Sequence, residues 1–195
     1  MSKRVILITG TPGVGKTTIA KRLTAKLDAL YINLTEFTIK QSLILGEDKI
    51  RKTKIIDEEK TCIKMAEDIN ATEKTNIIVD GHYATAVVPK PYVTRVFVLR
   101  RNPIELRRLM KKRGFSDAKL LENLASEILD VCLVEALREQ EKEKVCELDV
   151  TGRTAENVAR EVIVILEKRK KCSVIGVDWL SMLEKKGLIG EYLQV

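Results

Sequence analysis

Gly10-Thr11-Pro12-Gly13-Val14-Gly15-Lys16-Thr17 has the spacing G-x-x-x-x-G-K-[ST]. A loop of this kind is suited to holding phosphate. Its glycines let the backbone wrap with N–H groups pointing inward, the helix start behind it adds a positive dipole end, and Lys16 reaches toward β- and γ-phosphates. Thr17 offers a hydroxyl to a magnesium ion, and Thr18 stands beside it, so the stretch calls for ATP with Mg2+. Two further residue types complete such a site. Asp80 ends the apolar run NIIVD, where a magnesium-holding carboxylate belongs; a loop-capping aspartate is the plainer alternative. His82, the chain's single histidine, either orients a water or phosphate there or is a hydrogen-bonded structural residue.

The elements that must position these groups are legible from periodicity. Residues 4–9 (RVILIT) form a β-branched run ending in glycine, the pattern of a strand buried on both faces. From Lys16 the apolar positions Ile19, Ala20, Leu23 and Leu27 follow helical spacing. Further strands are expected at 30–32, 76–80, 94–99 and 144–150. Helices are expected from Asn33, from Asp57, from Asn102-Pro103, in one long run from about Asp117 through Val131, and at 154–168. Strands alternating with helices demand a layered α/β domain with a mostly parallel sheet, because parallel neighbours need crossover connections. Residues 43–56 and 111–119 are charged and irregular, and the first reads as a mobile segment. From Val177 the tail carries Trp179, Leu180, Met182, Leu183 and Leu188, an amphipathic helix to be docked on the domain or on a partner.

With 195 residues, 45% of them apolar, the chain can bury one substantial core. Its 35 basic and 28 acidic residues leave a net charge of +7, which suits nucleotide phosphates or RNA and equally an ordinary Lys/Glu-rich surface. Cys62, Cys132, Cys146 and Cys172 lack the paired spacing of a zinc site and the density of a disulfide scaffold, so they read as buried thiols of a reducing, cytoplasmic protein. Neither a signal peptide nor an apolar run of membrane length is expected.

Small-molecule kinases and switch GTPases share the phosphate loop. Here no N-K-x-D guanine signature occurs, and two charged segments flank the site in the order of a monophosphate-binding arm and a lid. The second follows Arg107, Arg108, Lys111, Lys112 and Arg113. Phosphoryl transfer needs cations around a spreading negative charge and a cover that excludes water, and Arg113 before Gly114 can supply both.

Several motifs together resemble one family, the atypical adenylate kinases of archaea and eukaryotic nuclei that also act in small-ribosomal-subunit maturation. They are GTPGVGKTT at 10–18, YIN at 31–33, IIDEE at 55–59, Asp80-Gly81-His82, FVLR at 97–100, and RGF at 113–115 with Asn123 and Glu127 beyond. The resemblance implies a three-layer P-loop NTPase fold of the nucleoside monophosphate kinase type, with a five-stranded parallel sheet and helices on both faces. Within a core of residues 1–172 it implies an arm near 33–56 and a lid near 112–122; the tail, 173–195, lies outside the best-matched region. It also implies that Gly13, Gly15, Lys16, Thr17, Thr18 and Arg113 bind ATP, that Thr17 and Asp80 hold magnesium, and that Lys16, Asp80, His82 and Arg113 serve the chemistry. The activity implied is transfer from ATP to AMP or another nucleoside monophosphate, with side ATPase activity and a platform protein of the small ribosomal subunit as partner. Direct RNA contact is supported by charge alone. Ile39 and Leu109 stand where members often carry arginine, which leaves open an ATPase assembly factor with vestigial kinase activity.

Overall fold

A computed structural model describes residues 3–48 and 53–193. Its centre is a parallel sheet of β1 (Arg4–Thr9), β2 (Leu30–Asn33), β5 (Asn76–Asp80), β6 (Val93–Arg100) and β7 (Val145–Asp149), in the order β2-β5-β1-β6-β7. Alternate residues of β1 serve opposite faces, as the pleat requires. Ile6 and Ile8 pack with Ile78, Phe97 and Leu99 on one side, whereas Val5 and Leu7 pack with Val79, Val96 and Val98 on the other.

Helices cover both faces. On the first lie α1 (Lys16–Leu27), α5 (Pro103–Lys112), α6 (Asp117–Ile128) and α8 (Ala155–Leu166), which contribute Ile19, Leu23, Leu106, Met110, Leu120, Leu124 and Val158. On the second lie α2 (Leu34–Lys40), α3 (Glu58–Ala71), α4 (Ala84–Val87) and α7 (Val131–Glu139), with Phe37, Met65, Ile69, Val87 and Leu133 inward. Side-chain caps fix several helix starts: Asn33 accepts from the Glu36 amide, Asp57 from that of Lys60, Asn102 from that of Ile104 and Thr154 from that of Asn157. The three-layer architecture and the five-stranded sheet are those expected from the sequence.

Three expectations are corrected. Residues 43–56 are not irregular throughout: β3 (Ile44–Asp48) and β4 (Thr53–Ile56) pair as an antiparallel hairpin, and Lys49 to Lys52 of this arm lie outside the described residues. Its exposed positions include the apolar Leu45 and Ile55 and its half-buried ones Gly46 and Asp48, so no apolar–polar alternation marks the strands. The long helix from Asp117 breaks at Asp130, whose φ of 58° is left-handed, so α7 starts afresh and Val131 turns outward. The cysteines are not four buried thiols. Cys146 and Cys172 form a disulfide, Cys132 is buried and free, and Cys62 is only partly buried. The pairing arises because the tail returns along edge strand β7, where the Glu147 amide donates to the Ser173 carbonyl, a proximity that spacing in sequence does not show.

The tail docks on the core. α9 (Trp179–Lys185) and α10 (Ile189–Tyr192) place Trp179, Leu183 and Tyr192 in the cluster beneath α6. Among the described residues no helix is long and apolar enough to cross a membrane.

Candidate active site

The carboxyl ends of β1 and β5 lie side by side, Ile8 in register with Asp80, so the loop after β1 meets the carboxylate ending β5. Gly15 is the residue before α1, with a φ of 112° that a side-chain-bearing residue rarely adopts. No side chain caps this helix, and no acidic residue occupies its first turn. Its first amides therefore lack the side-chain oxygens that cap α2, α3, α5 and α8, and remain available to an anion.

Asp80 is 2% exposed, and its Oδ2 accepts from Thr17 Oγ1 at 2.7 Å, Tyr31 Oη at 3.0 Å and Asn33 Nδ2 at 3.1 Å. Burial, with the charge of Asp80 behind it, pushes the Tyr31 phenol up to about 12, so it stays protonated and keeps donating. Lys16 donates to the carbonyls of Gly10 at 2.7 Å and Thr11 at 3.2 Å. Desolvation holds its pKa below the usual lysine value, against the opposing pull of Asp80 and Glu127. Gly81 is required by packing: a Cβ there would lie 2.8 Å from the Leu34 Cβ, so α2 can approach the Asp80 loop only over a glycine.

Behind the loop lies an ionic network centred on buried Arg100, Glu127 and Glu147. Glu127 accepts from Thr11 Oγ1 at 2.6 Å, Arg100 Nε at 3.0 Å, the Arg101 amide at 2.9 Å and Trp179 Nε1 at 3.0 Å. Arg100 also donates to Glu147 at 2.8 Å and pairs with Asp130, which meets the requirement that a buried charge be matched. Arg101 donates to the Val14 carbonyl at 3.1 Å and pairs with Glu105. Beside this network a cavity of about 220 Å3 is lined by Gly13, Gly15, Thr18, Arg101, Arg113 and Arg153, among others. A second opening, of about 500 Å3, is lined by Thr35, Thr53, Lys54, Glu58, His82 and Tyr83, among others.

A family model described as AAA domain matches residues 6–130. A protein of Methanocaldococcus jannaschii named "Putative adenylate kinase" is 41% identical over 174 residues, 89% of this chain and 92% of its own length. One of the same name from Pyrococcus furiosus is 36% identical over 181 residues, covering 93% and 94% of the two chains. The chain belongs to this adenylate kinase-like family. Solved structures agree on the fold: thymidylate kinase from Candida albicans has a TM-score of 0.56 at 17% identity, with 91% of this chain and 96% of that one covered. Shikimate kinase from Bacteroides thetaiotaomicron gives 0.54 at 15% identity, with 85% and 98% covered.

This adenylate kinase-like chain accordingly uses ATP and Mg2+, and its residues suit both. The uncapped helix start and the Lys16 ammonium face a common loop, as a phosphate tail needs. A threonine hydroxyl beside a buried carboxylate is a hard-oxygen pair. That suits Mg2+, which keeps much of its shell as water and phosphate oxygen. Among the described residues no group of three or more His, Cys, Asp or Glu could hold a metal without such help.

Of the residues singled out in the sequence, Lys16, Thr17 and Asp80 are brought together, and Gly13, Gly15, Thr18 and Arg113 line one cavity. Arg113 sits at the exposed end of α5 and has no acidic partner among the described residues. His82 stands apart, in the second opening. Its ring is edge-on to Tyr83 at 4.5 Å, and its backbone carbonyl, not its ring, accepts from Thr9 Oγ1. Desolvation by the surrounding protein and then the positive charges of Lys16 and Lys119 lower its pKa to about 4, even though the side chain is exposed at the mouth of the opening. Sequence reasoning missed Arg101 and Arg153 beside the loop and Tyr31 and Asn33 as the hydrogen-bond partners of Asp80. The available signals were two successive arginines at the end of β6 and a polar pair closing β2.

Proposed function

We propose that the chain is a nucleoside monophosphate kinase that moves the γ-phosphate of Mg-ATP to a monophosphate, with AMP favoured: ATP + AMP ⇌ 2 ADP. The carrying observation is the pair of openings beside the Lys16–Asp80 edge. One opening is lined by Gly15 and Thr18 of the loop and the other by His82, two residues beyond Asp80, so donor and acceptor have separate entries. A phosphatase needs only one.

In this reading the loop amides and Lys16 bind and orient the phosphates of the donor. Thr17 and Asp80 hold Mg2+, which, when bound, neutralises charge on the phosphate oxygens. Arg113 closes over the donor, and the opening at Thr35, Lys54 and Tyr83 seats the acceptor. His82 lies in the same opening, where it can face the acceptor phosphate. No general base is required, because the attacking group is already an anionic phosphate oxygen, and positioning with electrostatic stabilisation supplies the rate.

The acceptor opening is bordered by exposed Thr35, Lys54, Ile55 and Glu58. Water can therefore reach the donor when no monophosphate is bound, and slow ATP hydrolysis is the side reaction this geometry favours. The role in small-subunit assembly rests on the resemblance and has no separate support in the geometry. A coupled assay with Mg-ATP decides between the readings. ADP formation that rises steeply with AMP is expected; phosphate release indifferent to AMP would overturn the kinase.

A further inference from the structure

The C-terminal tail lies beyond the matched family segment, yet it reaches the phosphate loop through one acidic side chain. Two attachments bring it there. Cys172 is joined to Cys146 on β7, and Glu147 Oε2 accepts from the amides of Ile175 at 3.0 Å, Gly176 at 2.7 Å and Val177 at 3.4 Å. Asp178 then caps α9 by accepting from the Ser181 amide at 2.9 Å, which presents Trp179 to the core as the first residue of the helix.

A tryptophan here need only fill volume if docking were its whole task. Its indole N–H instead donates to Glu127 Oε1, while the other oxygen of the same carboxylate accepts from Thr11 Oγ1, in the phosphate loop. Glu127 is 1% exposed, so its orientation is set by its partners and not by water. Arg100 ties this carboxylate to Glu147, which holds the tail, so both ends of the connection share one buried guanidinium.

We infer that Trp179 is a positioning residue for the nucleotide site: through Glu127 it fixes Thr11 and so preorganises the loop that receives the ATP phosphates. The inference rests on the reading of Gly10 to Thr17 as the ATP loop. Lys16, Thr17 and Asp80 are held by other contacts, so loss of the indole donor loosens binding more than transfer. Trp179→Phe keeps an aromatic ring and most of the bulk while removing the N–H, and Glu127 Oε1 keeps its two other donors.

The test uses the full chain. Trp179→Phe is expected to raise KM for Mg-ATP about tenfold, the scale of one hydrogen bond to a charged group, while kcat and KM for AMP stay within about twofold. Thr11→Val should do the same, Thr11→Ser should restore the wild-type value, and Trp179→Phe added to Thr11→Val should cost little more. A lowered Tm with unchanged KM, or fully additive effects, would make Trp179 a packing residue and overturn the inference. As the sole tryptophan, it also gives a measurement that needs no variant of the tail. The indole N–H resonance should move on addition of Mg-ATP to wild type and shift in nucleotide-free Thr11→Val, and indifference to both overturns the relay. If calorimetry shows that wild type takes up no Mg-ATP, the loop reading fails and takes the relay with it. Uptake with a silent indole and normal Trp179→Phe kinetics removes the relay alone.

Discussion

The edge that carries Lys16, Thr17 and Asp80 and the two segments that border it are built on opposite principles. At the edge the functional groups are tied to one another and to the protein behind them. Asp80 accepts three hydrogen bonds, Lys16 makes two, and Thr11 is tied to a fully buried carboxylate. The arm and the α5 end are the reverse: Lys54, Ile55, Lys112 and Arg113 are exposed, and the hairpin packs on the core chiefly through Leu43 and Ile56 at its base. An edge with redundant contacts is preorganised for charge that develops in the same place every turnover. Segments with few contacts open at low cost in free energy, as binding and release of two substrates require.

The comparison breaks first at Lys16. Lys16→Ala should lower ADP formation by about 10^3-fold or more, since it removes the ammonium proposed to stabilise the transferring group. Because burial already disfavours its charge, the variant should melt no lower than wild type, a pairing of lost activity with kept stability that calorimetry and the coupled assay read together. Undiminished turnover would end the kinase proposal. Asp80→Asn should follow at about 10^2-fold. The amide oxygen still accepts from Tyr31 and Asn33, so the fold is kept while the charge proposed to hold Mg2+ is lost. Its activity should demand more Mg2+ than wild type. Equal Mg2+ dependence in the two proteins would remove Asp80 from the metal site.

The edge was also the legible region. A glycine loop between a β-branched strand and an amphipathic helix has a mechanism written in its residue types, and an apolar run ending in aspartate points to the neighbouring strand. What escaped the sequence was long-range. Thr11 meets Glu127 across more than a hundred residues, and Cys146 meets Cys172 only because the tail returns along an edge strand. No local pattern encodes either. The hairpin at 44–56 escaped for a different reason: apolar Leu45 and Ile55 point to solvent while Gly46 and Asp48 are half-buried, so its sequence carries no period-two apolar signal. The break at Asp130 was hidden because apolar spacing continues through it, although the backbone there adopts a left-handed turn.

The α5 end tests the other half of the comparison. Arg113→Ala should cost about tenfold in kcat/KM for Mg-ATP and, as an exposed change without an acidic partner among the described residues, shift Tm by no more than about a degree. If the variant matched wild type in steady-state kinetics, the cover over the donor would have to come from Arg101 or Arg153, which line the same cavity.

The smallest expected effect concerns no catalytic group. Cys132 lies under the edge, 7% exposed, and burial pushes its thiol up to about 11, partly offset by the nearby Lys16 charge. At pH 8 only about one molecule in a thousand carries the thiolate, the form that reacts. Cys62, on α3 toward the arm, is partly accessible. Iodoacetamide under non-reducing conditions should therefore label Cys62 first. Cys132 should react only as fast as the edge opens, and slower still with Mg-ATP bound, as mass spectrometry of tryptic peptides would show. The same raised pKa fixes a sign. The unfolded chain releases this proton near the ordinary thiol value of 9 and the folded chain near 11, so the contribution to stability is whole below pH 9 and declines between 9 and 11. Equal labelling of the two thiols at pH 8 would show that the phosphate loop is as open as the arm, and the contrast between the two regions would be lost.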